Sequence, residues 1–146
     1  MERIILANMC MIYNDKNEVL VINRRKKVWP GIAFPGGHVE KKESIVLSTI
    51  REVKEETGLD ITNLEIAGVK DWFNEEENYR YIVFLFKTNK YSGNLINSIE
   101  GEVFWVKLND ISDYDLASGF DDTLKVFLNK ELSELYYELN NDIRLL

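Results

Sequence analysis

The chain has 146 residues, the size of one ordinary domain, and its 45% hydrophobic content is too apolar for a disordered protein. Eighteen Lys and Arg against 25 Asp and Glu leave a formal charge of −7, so the broad basic footprint of a DNA- or membrane-binding surface is missing. A single cysteine, Cys10, excludes an internal disulfide and a CxxC zinc or redox site, and fits a reducing compartment.

The first residues make no convincing signal peptide, because Asn8 interrupts the apolar run and no small-residue cleavage site follows. No stretch approaches the roughly 20 apolar residues of a membrane span. The expectation is a soluble, intact, cytoplasmic protein folded as one domain over residues 1–146.

Residues 4–13 are apolar and β-branched, and Asn14, Asp15, Lys16 and Asn17 form a strong turn signal. Residues 19–23 then read as the second arm of a hairpin. Residues 26–37 read as a loop, holding Pro30, Pro35, Gly31, Gly36 and Gly37. Residues 44–57 read as a helix with an apolar stripe through Val46, Ile50, Val53 and Thr57, and Gly58 is placed as its left-handed cap. Strand patterns return at 64–73 and, after a polar turn, at 79–88, the most β-prone run of the chain. Residues 102–107 read as a short strand. Residues 120–139 read as a closing amphipathic helix with Leu124, Phe127, Leu128, Leu132, Leu135 and Tyr136 on one side. Strands, a central helix, more strands and a terminal helix predict an α/β (α+β) sandwich, a mixed sheet with helices on its faces.

The chemistry concentrates in residues 34–59. Glu52, Glu55 and Glu56 stand at i, i+3 and i+4 and project from one face of the helix, opposed to the apolar stripe. Each close like-charge pair on an isolated helix costs roughly 0.2–0.5 kcal/mol, and the helix dipole disfavours anions near this C-terminal end. A hard divalent cation, Mg²⁺ or Mn²⁺, supplies the missing charge; a solvated acidic face is the plainer reading. The Phe34-Pro35-Gly36-Gly37 turn lets backbone groups approach a metal or phosphate closely. Glu43 and Arg51, eight residues apart, are placed to pair and fix the loop to the helix. His38 is the only histidine, and Cys10 lies in an apolar strand as inert core, so no covalent nucleophile is indicated.

Gly37, Glu43, Arg51, Glu52, Val53, Glu55, Glu56, Gly58 and Leu59 fill every defined position of G-x5-E-x7-R-E-U-x-E-E-x-G-U, with U a bulky aliphatic residue. This resembles the Nudix box, here residues 37–59, and the strand order around it is similar to the Nudix fold, an α/β/α sandwich with a central Nudix helix. The resemblance implies hydrolysis of a nucleoside diphosphate linked to a group X, with Mg²⁺ as cofactor. It implies that Glu52 and Glu56 are the principal metal ligands and that Glu55 is a further ligand or the base that deprotonates water. The Gly36 carbonyl is similar to the family's backbone ligand, and Glu43 and Arg51 look structural. A further acidic group often comes from a loop outside the box; Glu100 and Glu102 are the candidates, with Glu100 further into its loop.

Within the family the chain looks like small bacterial MutT-like 8-oxo-dGTP diphosphatases. That points to a nucleoside triphosphate pyrophosphohydrolase acting on oxidised purines such as 8-oxo-dGTP, releasing monophosphate and pyrophosphate. ADP-ribose, dinucleoside polyphosphates, RNA 5′ ends, and a nucleotide-sensing module without turnover are the alternatives. The expected partner is a nucleotide, with no DNA and no membrane, and the chain is expected as monomer or homodimer. Arg24 and Arg25 point to opposite faces of their strand, and the MutT likeness favours Arg25 on phosphate. His38 is placed to donate to phosphate, and Asn8 to read a base edge or to serve a structural bond. Phe34, Trp29, Trp72 and Phe120 are candidates for a stacking wall, against a plain core role. Asp121 and Asp122 open the last helix as caps or, by likeness to mammalian oxidised-purine hydrolases, as base readers.

Overall fold

A computed structural model describes residues 1–25, 27 and 29–146; Lys26 and Val28, in the predicted 26–37 loop, lie outside the described residues. In chain order the elements are β1 (Arg3–Ile12), β2 (Glu18–Arg24), β3 (Gly31–Ala33), α1 (Ile45–Thr57), β4 (Asp60–Thr62), β5 (Glu65–Asn74), β6 (Tyr79–Thr88), β7 (Lys90–Ser92) and β8 (Gly101–Lys107). A 3-10 turn (Leu108–Asp113), α2 (Phe120–Leu128), β9 (Glu134–Tyr137) and β10 (Ile143–Leu145) complete the chain.

The main sheet is mixed, with strand order β1-β6-β5-β9-β10. Its β1/β6 and β5/β9 pairs are parallel and its β5/β6 and β9/β10 pairs antiparallel. A second sheet, β3-β2-β8, is antiparallel, and β4-β7 form a small ribbon. The two helices cover opposite faces. Alternation along β1 explains how: Ala7 and Met11 join the core that holds Phe120, Val126 and Phe127 of α2, while Cys10 and Ile12 join the core that holds Val53 of α1. A strand buried on both faces reads as a continuous apolar run, as residues 4–13 do. Fully burying one such aliphatic side chain stabilises the fold by roughly 1.5–3 kcal/mol.

Four sequence expectations need correction. First, β1 and β2 are joined by a turn closed by the Tyr13–Val19 bridge and the Asn14 N–H to Glu18 O bond (3.1 Å), and then enter different sheets. The free side of β1 is taken instead by the Pro35–Val39 segment, through Cys10 N–H to Pro35 O (2.9 Å), Asn8 N–H to Gly37 O (2.8 Å) and Val39 N–H to Leu6 O (2.9 Å). Second, the 26–37 loop contains β3, which pairs with the end of β2. Third, Val46 is 41% exposed, and α1 buries Ser48, Thr49, Val53, Glu56 and Thr57. Small hydroxyl side chains let the helix sit close to β1, so the buried stripe is rotated from the apolar one. Fourth, the closing helix stops at Leu128 because Asn129 is extended, and Leu135 is a fully buried strand residue. Residues 134–137 instead fill the open edge of β5.

α1 ends at Thr57 with Gly58 as its cap, as expected, and starts at Ile45, with Ser44 outside the helix as its N-terminal cap. The Ser44 hydroxyl accepts from Leu47 N–H (3.2 Å), and Gly58 takes the left-handed conformation (φ 85°) while its N–H reaches Lys54 O. Among the described residues no helix is long and apolar enough to cross a membrane.

Candidate active site

α1 and the Gly36-Gly37 segment build the site together. The segment is held on β1 by the bonds just given, so the carbonyls of Pro35 and Gly37 face β1 and that of Gly36 turns away. Asn8 completes the fastening: its Oδ1 accepts from Gly37 N–H (3.1 Å) and its Nδ2 donates to Ser48 Oγ (2.9 Å). This buried amide therefore serves the structural bond, joining β1, the glycines and α1, and Asn8 also lines the cavity described below. The glycines are needed for space: a Cβ on Gly36 would run into the backbone of Asn8, and one on Gly37 into the carboxylate of Glu52.

The three glutamates occupy three environments. Glu56 is 6% exposed and accepts from Gly36 N–H (2.8 Å). Burial pushes its carboxyl up to about 7; the Gly36 N–H and Arg24 pull it down, and Glu52 and Glu100 add to the rise. Glu52 is half-buried and pairs with Arg51 (2.9 Å). Glu55 has a side chain 58% exposed and a longer contact to Arg51 (3.3 Å). So the glutamate face is not opposed to the buried face: Glu56 lies beside Val53 within it, and Glu55 alone faces out.

Arg51 clamps Glu43 as a two-bond fork, Nε to Oε2 at 2.8 Å and Nη2 to Oε1 at 2.9 Å, and also donates to His38 O. That fork and the Glu40 N–H hold the Glu43 carboxyl down to about 2. One guanidinium thus answers Glu43, Glu52 and Glu55. Among the described residues no ion pair reaches Glu56.

Glu100 stands near enough to Glu56 to raise its proton affinity, whereas Glu102 is exposed and lies across from Asn23. Among the described residues no three His, Cys, Asp or Glu side chains are already gathered as a metal-ligand cluster. The donor set still fits a hard divalent cation. It offers only oxygens, and it includes a buried carboxylate whose ionisation needs added positive charge.

Beside these groups opens a cavity of about 380 Å³ between the main sheet and α2. Arg24 lines it and Arg25 does not; Arg25 is exposed and its N–H goes to Glu100 O (3.1 Å). The alternation along β2 therefore assigns the cavity to the other arginine of the pair. His38 lines the cavity with its Nε2 2.8 Å from the Tyr81 hydroxyl. Phe34 and Phe120 form an edge-on pair (4.7 Å), Phe127 also stands edge-on to Phe34 (5.2 Å), and both Phe34 and Phe120 are buried core as well as cavity wall. The open aromatic wall comes from Trp29, 45% exposed, and from Trp72 stacked on Tyr81 at 4.6 Å. Asp121 and Asp122 do not line the cavity. Gly119 is the residue that caps α2, and Asp122 pairs with Lys125 (3.0 Å).

Lys70, Tyr81 and Tyr137 also line the cavity, and no motif in the sequence marks them. A lysine two residues before Trp72 in a β-prone strand was the available signal, since such residues share a face.

A model of the NUDIX domain matches residues 4–127. The chain belongs to the Nudix hydrolase family. Nudix hydrolases generally use divalent metals such as Mg²⁺. This Nudix chain is 32% identical over 114 residues to YvcI, a Nudix hydrolase of Bacillus subtilis, covering 75% of the chain and 70% of that relative. It is 28% identical over 110 residues to the 8-oxo-dGTP diphosphatase of Buchnera aphidicola, covering 70% and 78%. The structure of the MutT mutator protein from Bacillus halodurans superposes with a TM-score of 0.74 at 25% identity, over 97% of each chain. An ADP-ribose pyrophosphatase of Methanocaldococcus jannaschii is also similar, 32% identical over 85 residues, covering 58% of this chain and half of that one.

Proposed function

We propose that the protein is a Mg²⁺-dependent nucleoside triphosphate pyrophosphohydrolase of the cytoplasm, with oxidised purines such as 8-oxo-dGTP as preferred substrates. The observation that carries this reading is the buried Glu56 carboxyl bonded to the N–H of Gly36, a glycine that itself lines a cavity with an aromatic wall. Mn²⁺ suits the same oxygens.

Glu52, Glu56, the Gly36 carbonyl and Glu100 would hold the cation, with Glu55 at the outer edge. When bound, the cation screens the phosphate oxygens and lowers the pKa of water. Glu55 is the group suited to accept the proton of the attacking water, since it is exposed and only loosely paired. Glu56 is tied to a backbone N–H and serves as a fixed oxygen. Arg24 adds a cation beside the phosphates, and Arg51 with Glu43 keeps the helix and the glycine segment in register. Trp72 and Tyr81 exclude water from the far part of the cavity and offer a flat apolar surface to a base.

The test is a panel of nucleoside di- and triphosphates, ADP-ribose and oxidised purines, with Mg²⁺ and chromatographic product analysis. Monophosphate and pyrophosphate from 8-oxo-dGTP, faster than from dGTP, supports the proposal. Equal rates on every substrate defeat the oxidised-purine assignment, and binding with no product under any divalent metal defeats the enzyme assignment.

A further inference from the structure

We infer that Lys70 determines base specificity, selecting bases that present a carbonyl oxygen to the cavity over bases that present an amino group. This rests on the nucleotide reading above.

The register places Lys70 opposite the glycine segment along one row of the sheet. His38 bridges Ala7, Ala7 pairs with Val83, and Val83 pairs with Lys70. All four residues line the cavity. Three inter-strand steps separate the ends of this row, roughly 14 Å. That span suits a nucleotide lying across the sheet, phosphates by Gly36 and Gly37 and base by Lys70.

The lysine head is set up as a donor in need of an acceptor. Its Nζ lies 5.6 Å from the centroid of the Tyr137 ring, and among the described residues it has no hydrogen bond or ion pair. Burial pushes the amine down to about 8, while Asp122 and Asp121 hold it up. An ammonium offers three N–H donors and no acceptor. It therefore satisfies a carbonyl oxygen and repels an amino group, which leaves donor facing donor.

The surroundings select a neutral acceptor over an anion. The fields of Asp121 and Asp122 already reach Lys70 and oppose a second negative group there. On the same strand face Trp72 lies flat on Tyr81, and Trp29 stands edge-on to both at 6.1 and 6.2 Å. Aromatic walls around one cationic donor fit a flat ring carrying a carbonyl.

The test compares dITP with dATP, whose bases differ at this edge in carbonyl against amino. Wild-type kcat/KM should favour dITP by about tenfold or more, the range of a hydrogen bond to a charged group. In Lys70→Met the ratio should fall to within about threefold through loss on dITP, and Lys70→Arg, again donor-only, should keep the preference. Lys70→Gln, which adds an acceptor, serves as a second polar variant and should also lower the ratio. Calorimetry of dIMP and dAMP in EDTA should show the same order of binding without metal or turnover. Equal wild-type handling of the two bases, or a preference that survives in Lys70→Met and Lys70→Gln, overturns the inference. A wild type that hydrolyses no nucleotide defeats the proposed function instead, and is a distinct result.

Discussion

Replacing Glu56 by glutamine should stabilise the metal-free protein and abolish its activity. Glu56 is almost fully buried, and burial, with Glu52 and Glu100 nearby, lifts its carboxyl from 4.5 to about 7. A raised carboxyl contributes its full share of stability only below the ordinary carboxylate range, and loses it as pH climbs through about 7. At 1.4 kcal/mol per tenfold, holding the ionised form at pH 8 costs about 3 kcal/mol relative to the unfolded chain. Glutamine keeps an oxygen for Gly36 N–H and removes the charge. Its amide nitrogen must find a partner, which reduces the expected gain to about 1–3 kcal/mol. Urea unfolding in EDTA at pH 8 should show the variant more stable by that amount, and at pH 5 the gap should shrink to about 1 kcal/mol or less. Added Mg²⁺ should stabilise wild type more than the variant. A variant less stable than wild type at pH 8, with a gap that does not change at pH 5, would refute the reasoning.

Asn8→Ala should cost about 2–3 kcal/mol in denaturant unfolding, because it leaves Gly37 N–H and the Ser48 hydroxyl without a shared partner in a buried place. Asp71 has its carboxyl pushed up to about 7, first by burial and then by Glu134, against Arg80. Wild-type stability should therefore fall as pH rises from about 4 to 7, and Asp71→Asn should flatten that slope in melts recorded across the range. Cys10 is buried with its thiol pushed up to about 12. It should ignore an aromatic disulfide reagent at pH 8 in the native protein and react fully in urea; rapid native labelling would contradict its placement.

Local signals are legible where one physical cause acts alone. Ser44 and Gly58 mark the ends of α1 because a hydroxyl cap and a left-handed glycine are strictly local devices. The glutamate spacing and the Glu43–Arg51 pair follow from helix geometry and one salt-bridged loop. Partner choice between strands was hidden, because β1 is apolar on both faces and nothing in its pattern says which segment takes each edge. The same reason hid β9: residues 120–139 satisfy a helical period, but Leu135 finds its place beside Lys70 on β5. Arg24 and Arg25 show the limit of alternation, which separates two neighbours without naming the one that faces inward. Lys70 carries no local motif, because its meaning comes from the row it shares with Val83, Ala7 and His38, a relation between distant segments.

The attachment of residues 35–39 to β1 makes what looks like a flexible turn an extension of the pleat. Orientation along it is binary: a carbonyl points to the neighbouring strand or to the opposite side. A single residue inserted between Pro35 and Gly36 would invert that choice for every group beyond it, leaving the composition almost unchanged while aiming the Gly36 oxygen at β1 and turning the Gly37 carbonyl away from it. The span between the last proline and the lone histidine is consequently more sensitive to length than to side-chain identity, unlike most connections on a protein surface.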